Sequence, residues 1–325
     1  MGLFLGVDGG QTTTKMVVGD ELGVIRGWAT GGPSNHTEEP GGRERLEGVT
    51  RTTLRQVLEE INPANPEPFG FVSACFGMTG ETEIKQQVLQ SIVLTRHLNV
   101  VHDSVNALAG ATGGEPGVIV IAGTGSVLRG INAEGQELLV GGWGHLFGDE
   151  GSAYAIGREA VRVALAEFDQ IGSPSKLTPL LFERLGVRSA YELKDRYYSG
   201  TFSRDHLAGL SVWVDEVANM GDPVCEQVLK RAGLDLAQQA SLLVAKLFPQ
   251  KEYGTATGRP VVSYTGGVFK SRLIRETFER ALLEQFPYVQ ICPPLLPPVL
   301  GSLLLAYRSA GVVILRDQMS HWAQH

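Results

Sequence analysis

The sequence predicts an α/β protein built from two duplicated lobes, each a mixed sheet with flanking helices. Two glycine turns lie about 115 residues apart, and each stands between two apolar runs of strand length. Strand-like and helix-like patterns then alternate after each turn, which is typical of α/β folds. The length of 325 residues suits two domains.

The first lobe is predicted to have the element order βββαβαβα. Short apolar runs bounded by turn residues predict strands, and apolar residues at helical spacing predict helices. The predicted strands are Leu3–Val7, Thr13–Gly19, Gly23–Thr30, Phe69–Phe76 and Leu98–His102, and the predicted helices are Glu44–Ile61, Thr82–His97 and Ser104–Ala111.

The glycine-rich segment 113–117 is the best candidate for a domain boundary, because the strand pattern restarts directly after it. We therefore place the first lobe at residues 1–114 and the second at 115–298, and expect the C-terminal helix, 299–316, to pack back on the first lobe. The second lobe is predicted to contain the strands Val118–Ala122, Val127–Asn132, Gln136–Val140, Val261–Thr265 and Val289–Cys292, and the helices Ala153–Glu167, Lys176–Leu185, His206–Asn219, Asp222–Leu247 and Ser271–Gln285, before a last helix over Val299–Leu315.

Composition excludes several classes of protein. The formal charge of −7 argues against a nucleic-acid partner, which usually requires a basic face. Three scattered cysteines fit a reducing cytoplasm better than a disulfide framework. The N-terminus has no basic segment of a signal peptide, and the longest apolar stretch is too polar for a membrane span. We expect a cytoplasmic protein with no membrane partner.

The first glycine turn contains the segment Asp8–Lys15, DGGQTTTK. Adjacent glycines let backbone N–H groups approach an anion, and threonine hydroxyls add donors. Asp8, at the end of a strand, is a candidate for holding Mg²⁺ through water. An ordinary hairpin with Asp-Gly as turn residues explains the segment equally well.

A carboxylate stands where a predicted strand meets a predicted helix, in His102-Asp103-Ser104. Asp103 is a candidate general base that takes a proton from a substrate hydroxyl. From the residues alone, a helix cap is the better interpretation.

The second glycine turn, Gly123-Thr124-Gly125-Ser126, repeats the logic of the first turn. Alone, this turn is weak evidence for a phosphate site. As the second of a pair it is much stronger evidence, because one nucleoside triphosphate fits between two phosphate hairpins.

Two further segments are rich in glycine. Residues 141–153 combine five glycines with Trp, His, Asp and Glu, which favours a ligand loop over a core segment, although Asp149 and Glu150 could instead supply helix N-terminal charge. Residues 264–271 join a strand to a helix through Gly266-Gly267. That turn suits either an adenine face or a phosphate, or it is a plain βα connection.

In this order and spacing, the five motifs resemble the sugar kinase, hsp70 and actin superfamily. The resemblance implies two ribonuclease-H-like (actin-like ATPase) lobes with an ATP cleft between them. Within that superfamily, the segment 142–154 looks very like the sugar loop of the N-acetylglucosamine kinase group, in the BadF/BadG/BcrA/BcrD ATPase family. The first turn departs from some members by having Gln11 in place of glycine.

The resemblance implies a role for each motif residue, with ATP and Mg²⁺ as cofactors. Asp103 would be catalytic and Asp8 would hold Mg²⁺. The phosphate-binding residues would be Gly9, Gly10, Gln11, Thr12, Thr13, Lys15, Gly123, Thr124, Gly125 and Ser126; the adenosine-binding residues Gly221, Gly266, Gly267, Lys270 and Ser271; and the substrate-binding residues Ser34, Asn35, Asp103, Gly142, Trp143, Gly144, His145 and Asp149.

The function that follows is phosphorylation of an amino sugar, with N-acetylglucosamine 6-phosphate as the expected product. The pocket residues Asn35, Trp143, Gly144, His145 and Asp149 include no cation for a lactyl carboxylate, which ranks N-acetylglucosamine above N-acetylmuramic acid. Glucosamine stays an alternative. Two other hypotheses are an ATPase that activates a partner enzyme and a non-catalytic sugar sensor. A homodimer is expected from the relatives.

Overall fold

The computed structural model describes residues 2–10, 12–34, 37–62, 70–80, 82–253 and 258–322. The chain divides into two compact units. Unit 1 comprises Met1–Gly117 and Pro293–His325, and unit 2 comprises Val118–Cys292. Each unit contains one five-stranded sheet with flanking helices, which confirms the predicted α/β class.

The ten strands of the described chain are β1 (Leu3–Gly9), β2 (Thr14–Asp20), β3 (Ile25–Gly31), β4 (Phe71–Met78), β5 (Thr95–His102), β6 (Gly117–Ala122), β7 (Ser126–Ile131), β8 (Glu137–Gly141), β9 (Val261–Thr265) and β10 (Gln290–Cys292). The helices are α1 (Gly42–Ile61), α2 (Thr82–Gln90), α3 (Asp103–Thr112), α4 (Ala153–Phe168), α5 (Leu177–Leu185), α6 (Ala190–Tyr198), α7 (Arg204–Asn219), α8 (Pro223–Leu247), α9 (Gln250–Tyr253), α10 (Arg272–Gln285), α11 (Pro298–Ser309) and α12 (Arg316–Trp322). A 3₁₀ turn covers Gly267–Lys270.

The two sheets have the same strand order, as duplicated lobes require. The order is β3-β2-β1-β4-β5 in unit 1 and β8-β7-β6-β9-β10 in unit 2, so the first strand of each unit is central. In unit 1 the β1–β2 and β2–β3 pairs are antiparallel, and the β1–β4 and β4–β5 pairs are parallel. The carboxyl ends of β1, β4 and β5 therefore meet at one edge, where Asp8, Thr79 and Asp103 lie.

Side-chain alternation along β1 explains how unit 1 covers both faces of its sheet. Leu3, Leu5 and Val7 belong to the core under α1, whereas Phe4 belongs to the core formed with α11. Helix α11 lies directly on the sheet, because a Cβ at Gly6 would come 2.4 Å from the backbone nitrogen of Leu303. In unit 2 one core joins the sheet to α4, α7, α8 and α10.

Three segments differ from the expectations. Helix α2 ends at Gln90 instead of His97, because Thr95 and His97 pair with β4. The last predicted helix ends at Ser309, before Gly311 with a φ of 74°, and α12 follows separately. Residues 293–298, placed in the second lobe by the sequence, lie in unit 1, where the amides of Leu295 and Leu296 donate to carbonyls of α3.

Helices α6 and α12 and the short α9 have no counterpart among the predicted elements. Across the described ranges, no helix is both long enough and apolar enough to span a bilayer.

The close contact between α11 and α3 yields a stability prediction. A Cβ at Gly301 would come 2.0 Å from the Asn106 carbonyl oxygen and 2.5 Å from the Gly110 nitrogen. Backbone cannot move aside as a side chain can, so Gly301→Ala should lower the free energy of unfolding by about 1–3 kcal/mol. The measurement is urea denaturation followed by circular dichroism.

Gly48→Ala in α1 is the matched control, since a Cβ there meets nothing within 4 Å. It should raise stability by about 0.5–1 kcal/mol, because alanine favours a helix interior over glycine. Equal effects of the two substitutions would contradict the described packing of α11.

Candidate active site

Gly9, where β1 enters the first glycine turn, has no room for a side chain. A Cβ there would come 2.6 Å from Met78 Cε and 2.7 Å from Ser34 Oγ. The buried Ser34 hydroxyl accepts a hydrogen bond from Thr14 Oγ1 at 2.8 Å. Ser34 therefore links the segment that follows β3 to the start of β2, directly after the first glycine turn.

The other predicted residues of this turn are partly accessible. Thr12, Thr13 and Lys15 are exposed, and the Gly10 amide donates to the Thr13 carbonyl at 2.9 Å. Gln11 and Asn35 lie outside the described residues. Asp8 lies within β1, in register with Lys15 of β2, so it is not a turn residue of an ordinary hairpin.

Asp8 and Asp103 form a pair of carboxylates in unit 1. Asn106 Nδ2 donates to Asp8 Oδ1 at 3.1 Å. Burial raises the pKa of Asp8 above its ordinary value, and the neighbouring charge of Asp103 adds to the increase, while Asn106 and Lys15 oppose it. The ionised form of Asp8 is therefore disfavoured, and a cation close to the carboxylate would stabilise it.

The Asp103 carboxylate is held at both oxygens. Thr79 Oγ1 donates to Oδ2 at 2.8 Å, and His102 Nδ1 lies 2.9 Å from Oδ1. Burial acts to raise the pKa of Asp103, but hydrogen bonds from His102, Thr79 and the Ser104 amide outweigh it, so the pKa is lowered. The N-cap residue of α3 is His102, and Asp103 is the first residue of the helix, so Asp103 is not the cap.

In unit 2, residues 141–152, most of the segment that resembles the sugar loop of the family and named here the sugar loop for that resemblance alone, are hydrogen-bonded to the second glycine turn, residues 123–126. The Gly142 amide donates to the Ser126 carbonyl at 3.0 Å, and Ser126 Oγ donates to the Glu150 carbonyl at 2.9 Å. Just beyond the loop, the amides of Ala153 and Tyr154 donate to the carbonyls of Gly123 and Thr124. Two of the sequence motifs therefore form one structural element.

The side chain of Asp149 connects the sugar loop to the second glycine turn and to Arg204. Its backbone has a φ of 63°, which is rare outside glycine, and its side chain is buried. Oδ1 accepts from the Ser126 amide at 3.1 Å, and Oδ2 accepts from Arg204 Nη2 at 2.8 Å. Helix α4 begins three residues later and is capped by Ser152, so the hydrogen bonds of Asp149 are made to the turn amide and to Arg204 and not to the first amides of the helix.

Gly125 lies against that ion pair. A Cβ there would come 2.7 Å from Arg204 Nη2 and 2.8 Å from Asp149 Oδ1. Glycine is therefore required at this position by the ion pair, independently of any ligand.

The tip of the sugar loop projects from the unit. Trp143 is 76% exposed, which excludes the alternative that it is a core residue. Gly142 and Gly144 have φ values of 74° and 78°, conformations that favour glycine. His145 stacks edge-on against Tyr154, with ring centroids 5.0 Å apart. The tip offers an aromatic surface on a backbone that only glycine adopts easily.

The predicted adenosine residues lie at two neighbouring places of unit 2. A Cβ at Gly266 would come 2.2 Å from the Ala122 carbonyl, so Gly266 packs where β6 enters the second glycine turn. A Cβ at Gly267 would meet no atom within 4 Å. Gly221 lines a cavity of about 320 Å³ together with Arg272, which follows Lys270 and Ser271 in the chain.

Sequence reasoning missed four residues of these clusters: Thr79, Lys85, Asn106 and Arg204. Asn106 carried a usable signal, because it lies three residues after Asp103 and so shares one face of α3. No sequence signal pointed to Arg204, because 55 residues separate it from Asp149 in the chain.

Comparison with known proteins agrees with the sequence resemblance. Residues 5–306 match the profile of the BadF/BadG/BcrA/BcrD ATPase family. The chain is 30% identical to an N-acetyl-D-glucosamine kinase of Dictyostelium discoideum, over 94% of this chain and 98% of the relative. It is 28% identical to an N-acetylmuramic acid/N-acetylglucosamine kinase of Clostridium acetobutylicum, over 93% and 97%.

A solved structure from Chromobacterium violaceum, provisionally assigned as an N-acetylglucosamine kinase, superposes with a TM-score of 0.74 and 25% identity. The alignment covers 94% of this chain and 99% of that one. These matches confirm the predicted resemblance and the predicted fold.

The Asp149–Arg204 ion pair should be measurable in a double-mutant cycle of unfolding. Asp149 is buried while the Arg204 side chain is 33% exposed, so solvent screens part of the attraction. Asp149→Asn and Arg204→Met should show a coupling free energy of about 1–2 kcal/mol.

The exposed pair Glu159 and Arg162 on α4 is the control, with an expected coupling below about 0.5 kcal/mol. A coupling for Asp149 and Arg204 no larger than this control would show that the pair does not hold the sugar loop.

Proposed function

The chain belongs to the BadF/BadG/BcrA/BcrD ATPase family, and on that premise we propose that it phosphorylates an amino sugar with ATP. The preferred substrate is N-acetylglucosamine and the product its 6-phosphate. The observation that carries this proposal is the bonding of the sugar loop to the second glycine turn through Asp149 and Ser126. An element that joins a phosphate-type turn to a polar aromatic loop suits transfer between a phosphate donor and a sugar.

The glycine turns are proposed to bind the phosphates of ATP. Backbone N–H groups that no side chain shields are good donors to phosphate oxygens, and exposed Thr12, Thr13 and Lys15 add hydroxyls and a charge. Gly221, Gly266, Gly267, Lys270 and Ser271 are proposed for the adenosine. Phosphoryl transfer is driven mostly by such positioning and by charge stabilisation.

Asp103 is proposed as the general base. The carboxylate is ionised at neutral pH, and because its lowered pKa makes it a weak base, its contribution depends on being held beside the sugar hydroxyl. The sugar 6-hydroxyl loses its proton to Asp103 as its oxygen forms a bond to the γ-phosphorus. The bond from that phosphorus to the bridging oxygen breaks, and ADP leaves with the electron pair.

Asp8 is proposed to hold Mg²⁺ through water. In the described ranges no three His, Cys, Asp or Glu side chains cluster as a metal site. A single carboxylate at the end of β1 fits a magnesium ion that is bound chiefly by nucleotide phosphates and water, and the ion would in turn favour the ionised form of Asp8. The ion would neutralise charge on those phosphates.

Arg204, which lies in none of the sequence motifs, bears on the choice of sugar. Its guanidinium is a specific observation in favour of a second candidate, N-acetylmuramic acid, whose lactyl carboxylate it could pair with. However, Asp149 already neutralises Arg204, so a further carboxylate would bring a net negative charge into the site. N-Acetylglucosamine therefore stays first, with glucosamine as the other alternative.

The positions of the cysteines disfavour the partner-activating ATPase. Such activators bind an iron–sulfur cluster through thiolates. Cys75 and Cys225 are buried in the cores of different units, and burial raises the pKa of each to about 12. Neither thiol is available to a cluster. The homodimer and the cytoplasmic location stay predictions.

A sugar panel tests the proposed function. ADP release is measured with N-acetylglucosamine, glucosamine, N-acetylmuramic acid and glucose under one set of conditions, and N-acetylglucosamine should give the highest kcat/KM. A tenfold preference for another sugar, about 1.4 kcal/mol, would overturn the acetamido assignment. Sugar binding without phosphorylation of any sugar would instead indicate a sensor.

Asp103→Asn tests the base. The amide keeps the size of the side chain but does not accept a proton, so kcat should fall by about 10²–10⁴-fold. Calorimetry should show sugar binding within a few-fold of the wild type. A variant with nearly normal kcat would show that Asp103 is not the base.

A further inference from the structure

We propose that Thr79 is a positioning residue for Asp103, and that buried Lys85 fixes the turn that carries Thr79. The inference rests on the proposed role of Asp103 as base. It adds two residues to the reaction that none of the sequence motifs contains.

The sheet brings Thr79 to Asp103. β4 ends at Met78, which pairs with His102 at the end of parallel β5, so the next residues of both strands lie side by side. Thr79 Oγ1 then reaches Asp103 Oδ2 at 2.8 Å. The register of two strands, not a loop, sets this contact.

Thr79 and His102 together define the orientation of the Asp103 carboxylate. Thr79 binds Oδ2 and His102 Nδ1 lies against Oδ1, while the Ser104 amide, at the start of α3, is a third donor to the carboxylate. A carboxylate held at only one oxygen rotates about its χ2 bond, which is a soft torsion. Without the Thr79 hydroxyl, the oxygen that receives the proton would sample positions away from the sugar hydroxyl.

Lys85 supports the turn from the side of α2. Its residue is 1% exposed, and Nζ donates to the Thr79 carbonyl. Gly80, with a φ of 84°, lets the chain turn there, and a Cβ at Gly80 would come 3.2 Å from Nζ. Burying a lysine is costly unless it is hydrogen-bonded. The hydrogen bond of Lys85 to the Thr79 carbonyl therefore ties α2 to this turn.

The chain before the turn is also closely packed, on the side that faces α3. A Cβ at Gly77 would come 2.1–2.3 Å from atoms of the Asn106 side chain, which also donates to Asp8. The end of β4 is thus packed between α2 and α3. Because the backbone is fixed on both sides, the hydroxyl of Thr79 stays at one place relative to Asp103.

Thr79→Val tests the proposal, since valine has nearly the shape of threonine but no hydroxyl. Kcat for the sugar that the wild type phosphorylates should fall by about 10–100-fold, the range for a misplaced catalytic group, while both KM values stay within about twofold. Thr79→Ser, which keeps the hydroxyl, should recover kcat to within about threefold. Lys85→Met should lower kcat by about tenfold.

The matched control is Thr112→Val, at the far end of α3. That hydroxyl is bonded to the Leu108 carbonyl at 3.0 Å, so its loss can affect stability but not the base. Kcat of this variant should stay at the wild-type value. If Thr79→Val does not fold, as judged by circular dichroism, Thr79→Ala replaces it in the test. Alanine also lacks the hydroxyl, and it is smaller than threonine, so it cannot overpack the site.

A double variant separates positioning from other roles. If Thr79 acts through Asp103, Thr79→Val should cause no further loss of rate in an Asp103→Asn background. A further tenfold loss there, or a kcat of Thr79→Val equal to that of the wild type, would overturn the proposal. A normal rate of Asp103→Asn itself would overturn the proposed base, an outcome distinct from the failure of Thr79.

Discussion

The hydrogen bond from the Ser126 amide to the buried Asp149 carboxylate is the contact on which the candidate site of unit 2 depends. A buried carboxylate must be paired, and Asp149 finds its partners in a turn amide and in Arg204. The same pair leaves no space for a side chain at Gly125. The conformation of the sugar loop and that of the second glycine turn are therefore fixed together, and a change in one reaches the other.

Local patterns were enough to predict most of the strands and the glycine turns that follow them. A strand, two glycines and a second strand are adjacent in the chain, so their pattern can be read in one window. The sugar loop was also recognisable, since its glycines and polar residues cannot form a core, and the structure leaves Trp143 exposed. Arg204 and Thr79 were not predictable, because they lie 55 and 24 residues from the carboxylates that they bind.

Two of the errors in the predicted fold have the same origin. Helical spacing continued across the boundary between α2 and β5, and nothing within residues 82–97 shows that Thr95 and His97 have partners on β4. Segment 293–298 follows unit 2 in sequence, yet its amides bond to the carbonyls of Ala111 and Gly110. Pairing between distant segments decided both cases, and periodicity carries no information about pairing.

The two carboxylates of unit 1 show how one sheet edge can support two kinds of chemistry. Burial acts to raise the pKa of both, but Asp103 has three hydrogen-bond donors that reverse the effect, whereas Asn106 only partly offsets it at Asp8. Carboxyl groups whose environments push their pKa values apart are suited to different roles. Asp103 is stable as an ion, which is the state in which the proposed base would accept a proton. Asp8, which shares the edge with that negative charge, is the one that a cation would stabilise.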